Sequence, residues 1–220
     1  MKKKELDSGQ LKAELLSRYP ELEYCVNEFD AAYQILLECY RNGNKVLVAG
    51  NGGSAADSEH IVGELMKSFL FVRKLDDAFT SELKKLYGSD GEKLSAQLEG
   101  GLPAISLTSM PALSTAYAND ASSAACFAQM TQTLGREGDV FIGITTSGNS
   151  ENILLAFMAA KARHMKTICL TGRSGGRCKA VSDVCVCVPE DETFRIQELH
   201  LPIYHTLCAM AEADLFEENK

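Results

Sequence analysis

The sequence predicts an α/β protein: a five-stranded parallel sheet with helices on both faces, a flavodoxin-like three-layer sandwich with extra helices at the N-terminus. Three observations carry the prediction. Short β-branched runs alternate with longer helical patterns along the chain. Two of those runs end in turns crowded with glycine or hydroxyl side chains, where a doubly wound sheet presents helix N-termini to ligands. The 220 residues, 45% hydrophobic and 24% charged, suit one well-buried domain.

Taken in order, the first 44 residues read as helical. Pro20 is a helix-start residue, and Asn42, Gly43 and Asn44 form a stop. Leu22, Cys25, Val26, Phe29, Tyr33, Leu36, Leu37 and Tyr40 recur there at three- and four-residue spacing. Such a stripe is either core or, on a helix outside the βα units, a face for another subunit. Strands are expected at 45–49, 103–107, 139–145, 166–171 and 183–188. Between the first two lies an atypically long connection, 71–100, charged and locally helical in DDAFTSELKKLYG and GEKLSAQLEGG. A crossover needs only a few loop residues, so this piece reads as a lid over the site or a decoration of the edge. Eight cysteines are scattered through apolar patterns without a C-x-x-C pair, which points to reduced core thiols. Cys185 and Cys187 alternate with valines, as in a buried strand.

Composition narrows the functions. The opening lysines run straight into polar residues, and no run of about eighteen apolar residues occurs, so a cytosolic protein that does not span a membrane is expected. Lys and Arg number 22 against 30 Asp and Glu, a formal charge of −8. An anionic ligand must then be held by local donors, and nucleic acid is not an expected partner.

Two turns offer such donors. In AGNGGSAADSEH, Gly50, Gly52 and Gly53 let the backbone approach a ligand closely. In ITTSGNSENI, Thr145, Thr146, Ser147 and Ser150 crowd four hydroxyls into six positions, a natural seat for a phosphate. Capping accounts for part of this: Ser54 with Asp57 resembles a capping box, and Ser150 is a good N-cap. GNGGSA also fits the G-x-G-x-x-A dinucleotide pattern, but no second strand ends in a ribose-binding acid, and the chain lacks G-K-[ST]. Downstream, His60 and Glu64 share a helix face with Asp57 on the same side, and Glu64 stands between apolar neighbours, a setting that suits a general base. The last helix adds Gln197, Glu198, His200 and His205, with Glu198 and His205 on nearly one stripe.

GNGGSAADSEHIVGEL, AND at 118–120, GREGDVFIGITTSGNSENI and RIQELHLPIYH together resemble the SIS-domain phosphosugar isomerases, over nearly the whole chain apart from about 71–100. The resemblance implies a single SIS domain, 1–220, with a helical segment 1–44 and an insertion 71–100. It implies that Asn51, Gly52, Gly53 and Ser54 line a sugar phosphate site, that Thr145, Thr146, Ser147 and Ser150 hold the phosphate, and that Asn119 and Asp120 contact the substrate. In metal-dependent members the positions of His60, Glu64, Gln197 and His205 bind zinc, one ion per site. Glu64 and His205 are also the implied catalytic pair. The implied assembly is a homotetramer with sites shared between subunits. The implied reaction is aldose-ketose isomerisation through an enediol, with sedoheptulose 7-phosphate going to D-glycero-D-manno-heptose 7-phosphate. Three features depart from the family pattern: Thr145 in place of serine, the longer insertion, and Pro202, which removes an N–H between Gln197 and His205 and is expected to kink the helix. A non-catalytic SIS protein that binds a phosphosugar or a protein partner is the reading from another class. An isomerase of a different sugar phosphate is the reading within enzymes. Retention of both Glu64 and His205 favours a catalyst.

Overall fold

A computed structural model describes residues 7–216; the first six residues of the expected N-terminal helical segment lie outside them. Helix α1 (Ser8–Arg18) begins at Asp7, whose carboxylate accepts from the Gln10 N–H at 2.8 Å. A 3-10 turn, Pro20–Cys25, opens on its proline and leads into α2 (Val26–Arg41). The chain then runs β1 (Val46–Gly50), α3 (Gly53–Met66), α4 (Asp77–Tyr87), α5 (Ser89–Ser95), β2 (Ala104–Ser106), α6 (Pro111–Tyr117), α7 (Cys126–Leu134), β3 (Val140–Ile144), α8 (Glu151–Ala162), β4 (Lys166–Thr171), β5 (Val184–Cys187) and α9 (Thr193–Leu215).

The five strands are all parallel, in the order β2-β1-β3-β4-β5. Val46 pairs with Ala104 on one side and Val140 on the other, so β1 lies inside the sheet and is buried along its whole length. Side chains alternate between two cores, as the period of a strand dictates. Val46, Val48, Val140, Ile142, Ile168 and Leu170 join the core formed with α2, α3 and α9. Leu47, Ala49, Phe141, Cys169, Cys185 and Cys187 join that formed with α7 and α8, where Phe141 and Phe157 meet edge to face at 5.1 Å.

All five expected strands are present: β4 has the expected bounds, β1 is shifted by one residue, and β2, β3 and β5 are shorter at both ends. Asp139 and Asp183 stand just outside because their carboxylates accept neighbouring backbone N–H groups, from Lys45 and Arg136 and from Thr167 respectively. Leu107 leaves the edge strand to start a 3-10 turn. The apolar stripe on the N-terminal helices is core: Leu22, Cys25, Phe29, Tyr33, Leu36, Leu37 and Tyr40 are buried within this chain, with Val26 half-buried. All eight cysteines are free and buried. Helix α9 runs unbroken through the buried Pro202. No helix among the described residues is long and apolar enough to cross a membrane.

The connection 71–100 forms a helical hairpin. Gly91 of α5 lies against the Leu83 carbonyl of α4, where a Cβ would come within 2.0 Å, and no other residue of the two helices is buried. The hairpin roots at the end of α3, where the Gly100 N–H donates to the Arg73 carbonyl and the Leu102 N–H to that of Leu65.

Away from the strands' carboxyl ends, Gly135 closes α7 at a point where a Cβ would meet the Met165 sulfur at 2.4 Å and the Thr131 carbonyl at 2.6 Å. Gly135→Ala is therefore expected to cost about 1–3 kcal/mol of stability by overpacking, read as a lowered urea midpoint at unchanged slope.

Candidate active site

Strand β1 ends at Gly50, where a Cβ would overlap the Ser54 carbonyl at 2.2 Å. Gly52 follows at φ +56°, a backbone that L side chains rarely adopt, and N-caps α3. This turn starts the helix too early for the expected capping box. Ser54 falls in the first turn and is buried without a capping bond, and Asp57 turns instead to the Tyr204 hydroxyl at 3.2 Å. Gly53 leaves room for Gln197, whose amide nitrogen lies 2.7 Å from where a Cβ would stand.

The second turn follows β3. Thr145 is buried, and its hydroxyl lies 2.9 Å from that of Ser150. Ser150 holds the N-cap position of α8, but its hydroxyl caps nothing there, so the helix N-terminus keeps donors for an anion. Thr146 is half-buried and Ser147 exposed. Gly148, at φ +66°, presses on the Gly175 carbonyl, where a Cβ would come within 2.1 Å. Asn51 and Asn152 exchange side-chain hydrogen bonds of 3.0 and 2.8 Å, which ties the two turns edge to edge. Asn152 escaped the sequence reading because a polar residue in the first turn of a helix is ordinary.

His60 lies seven residues into α3, about 10 Å along its axis, and Glu64 one turn further. His205, from α9, meets them: its Nε2 is 3.3 Å from His60 Nε2, which is in turn 3.2 Å from Glu64 Oε1. The three donor atoms all lie within 4.8 Å of one another. His60 is 43% exposed and Glu64 13%. The other oxygen of Glu64 accepts from Lys67 at 3.2 Å. Tyr204, which no sequence signal singled out, sits behind the group with its hydroxyl 3.1 Å from His60 Nδ1. If Tyr204 donates to Asp57, its oxygen accepts from Nδ1–H, and Nε2 is left as the lone pair aimed at Glu64 and His205. Burial pushes the Asp57 carboxyl up, partly offset by the Tyr204 bond. Burial, then the neighbouring His60, holds His205 below the usual imidazole range.

His60 Nε2 faces Glu64 Oε1 at 3.2 Å and His205 Nε2 at 3.3 Å, a crowding of polar atoms that a proton or cation among them relieves. A tetrahedral zinc with ligand bonds of about 2.0–2.1 Å sets neighbouring ligand atoms about 3.3–3.4 Å apart, close to the spacing of His60 from each of its two partners, with all three atoms within 4.8 Å of one another. The remaining expected residues are less gathered. Gln197 lies at the start of α3, and no hydrogen bond among the described residues joins it to the trio. Asn119 and Asp120 bond to each other on the exposed π-helical turn Ala118–Ser122, with no hydrogen bond among the described residues to the glycine turn or the hydroxyl turn. Glu198 is exposed, and His200 is wholly buried.

The SIS domain family model matches residues 15–100 and 98–172. A phosphoheptose isomerase of Aneurinibacillus thermoaerophilus is 41% identical over 183 residues, 83% of this chain and 79% of that protein. One from Helicobacter pylori strain 26695 is 37% identical over 213 residues, 95% of this chain and 97% of that protein. The solved structure of a phosphoheptose isomerase from Neisseria gonorrhoeae superposes with a TM-score of 0.69 at 35% identity, covering 90% of this chain and 93% of the other.

Proposed function

The chain belongs to the SIS-domain family, among the phosphoheptose isomerases, and from that premise we propose that Glu64 and His205 interconvert sedoheptulose 7-phosphate and D-glycero-D-manno-heptose 7-phosphate. It is an aldose-ketose isomerase. The observation that carries the assignment of residues is that His60, on a helix whose start adjoins the hydroxyl turn, lies 3.2 Å from Glu64 of that helix and 3.3 Å from His205 of α9.

The phosphate takes the hydroxyls of Thr145, Thr146, Ser147 and Ser150 and the start of α8, with Asn51, Gly52, Gly53 and Ser54 alongside. Glu64 and Gln197 belong to the substrate's surroundings, and Asn119 and Asp120 contact it. The sugar then extends along α3 towards His60 and Glu64. Glu64 removes the proton from C1 of the ketose and returns it to C2, by way of an enediol. His205, kept neutral by its surroundings, moves the hydroxyl proton between O2 and O1. His60, Glu64 and His205 would hold a divalent ion, zinc by preference, with Gln197 the fourth candidate. When bound, the ion supplies Lewis-acid stabilisation of charge developing on the sugar oxygens. A homotetramer in the cytoplasm completes the reading. The 43% exposure of His60 leaves the site open for neighbouring copies to cover, and eight free thiols suit a reducing compartment.

A panel of five-, six- and seven-carbon ketose phosphates, followed for aldose formation, tests the substrate. Turnover is expected to be fastest with sedoheptulose 7-phosphate, and preference for a shorter sugar would reassign it. Elemental analysis is expected to find one divalent ion per chain, lost in His60→Ala. Full activity after exhaustive chelation would remove the metal from the reaction.

A further inference from the structure

Arg73 and Glu212 form an ion pair whose side chains are both 0% exposed, with Arg73 Nε 2.8 Å from Glu212 Oε1. A pair taken this far from water contributes little net stability, because its attraction is largely cancelled by the cost of desolvating two charges. What the two groups touch is more informative. The Arg73 guanidinium donates to the carbonyls of Leu65 and Glu64, the latter at 2.9 Å. These are carbonyls of the last turn of α3, which has no basic residue of its own there, and the guanidinium shares that of Leu65 with the Leu102 N–H. Glu212 accepts the backbone N–H groups of Phe69, Leu70 and Phe71 at 2.8, 2.7 and 3.2 Å. That sets the Phe69 ring against His205, with centroids 5.6 Å apart.

We propose that Arg73 and Glu212 are positioning residues for the isomerase reaction: Arg73 fixes the backbone of Glu64, Glu212 fixes the phenylalanine that backs His205, and their mutual bond sets the two against each other. The proposal rests on the reading of Glu64 and His205 as the catalytic pair. Its physical content is that proton transfer tolerates little misplacement of the base, whereas phosphate binding at the far end of α3 is indifferent to it. The pair also lies at the seam where the chain departs for the hairpin of α4 and α5 and returns at Gly100, so it holds the catalytic end of α3 against movement of that exposed appendage.

The test uses Arg73→Lys, which keeps the charge and loses the fork, and Glu212→Gln, which keeps the shape and one acceptor oxygen. Each is assayed at a temperature where urea unfolding shows it fully folded. Gly135→Ala serves as a variant destabilised away from the site. The expected result is a fall in kcat of roughly tenfold to a hundredfold in both positioning variants, the usual cost of removing an outer-shell partner. KM for the sugar phosphate and its affinity by calorimetry should stay within about twofold, and Gly135→Ala should keep its kcat. If Arg73→Lys does not fold, the isosteric Glu212→Gln decides alone. Wild-type kcat in a folded variant, or a raised KM at unchanged kcat, would overturn the positioning role. Absence of turnover by the wild type on every sugar phosphate would instead strike the isomerase reading beneath it.

Discussion

Glu64→Gln is expected to lower kcat by about 10²–10⁴-fold, the usual contribution of a positioned acid–base group, while sugar phosphate affinity stays close to that of the wild type. Glutamine preserves the size of the side chain and its carbonyl oxygen, so contacts to His60 and Lys67 can persist, and only the capacity to accept a proton from carbon is lost. On the proposed reading the phosphate sits about three turns of α3 away, at the hydroxyls and the start of α8, which is why binding should survive. Steady-state kinetics with calorimetry of the sugar phosphate separates the two effects. A variant that isomerises at near wild-type rate would remove Glu64 from the role of base, and metal content retained alongside lost turnover would separate base from ligand.

The second large effect is on stability. His200 is wholly buried on α9, and among the described residues neither ring nitrogen has a hydrogen-bond partner at normal geometry. Burial pushes its imidazole down to about 4, and the nearby Thr171 backbone offsets only a little of this. The folded value lies below the ordinary 6.5, so between those limits the unfolded chain binds more protons than the folded one, and stability falls as pH falls. The loss starts near pH 6.5 and is nearly complete near pH 4, on the order of 3 kcal/mol. Urea titrations at several pH values should show this slope in the wild type and a shallower one in His200→Leu. Every other titrating group is common to both proteins, so the difference isolates His200. Parallel curves would reject the assignment.

Much of this molecule is legible along the chain because strands and helices announce themselves by local periodicity. The five strands came out in place, and their errors were confined to ends such as Asp139 and Asp183, where a side chain's hydrogen bond to a distant backbone decides the boundary. The glycine turn was legible for a similar reason, since Gly52 at positive φ is a local demand of the backbone. Its capping box was not, because Asp57 had a competing partner in Tyr204, 147 residues away. Ser150 was likewise misassigned as a cap by side chain: local rules give it that task, and Thr145 takes the hydroxyl instead.

What the sequence determined by itself is the architecture and the two halves of the candidate site, because hydrophobic period, turn chemistry and the spacing of His60 and Glu64 are properties of neighbouring residues. Only the tertiary structure decided that His205 closes on His60 at 3.3 Å, that Asn51 and Asn152 join the glycine turn to the hydroxyl turn, and that Arg73 and Glu212 clasp the end of α3. Those contacts span roughly 100 to 145 residues of chain. Their partners are selected by desolvation and hydrogen-bond satisfaction in three dimensions, which leave no period in the sequence.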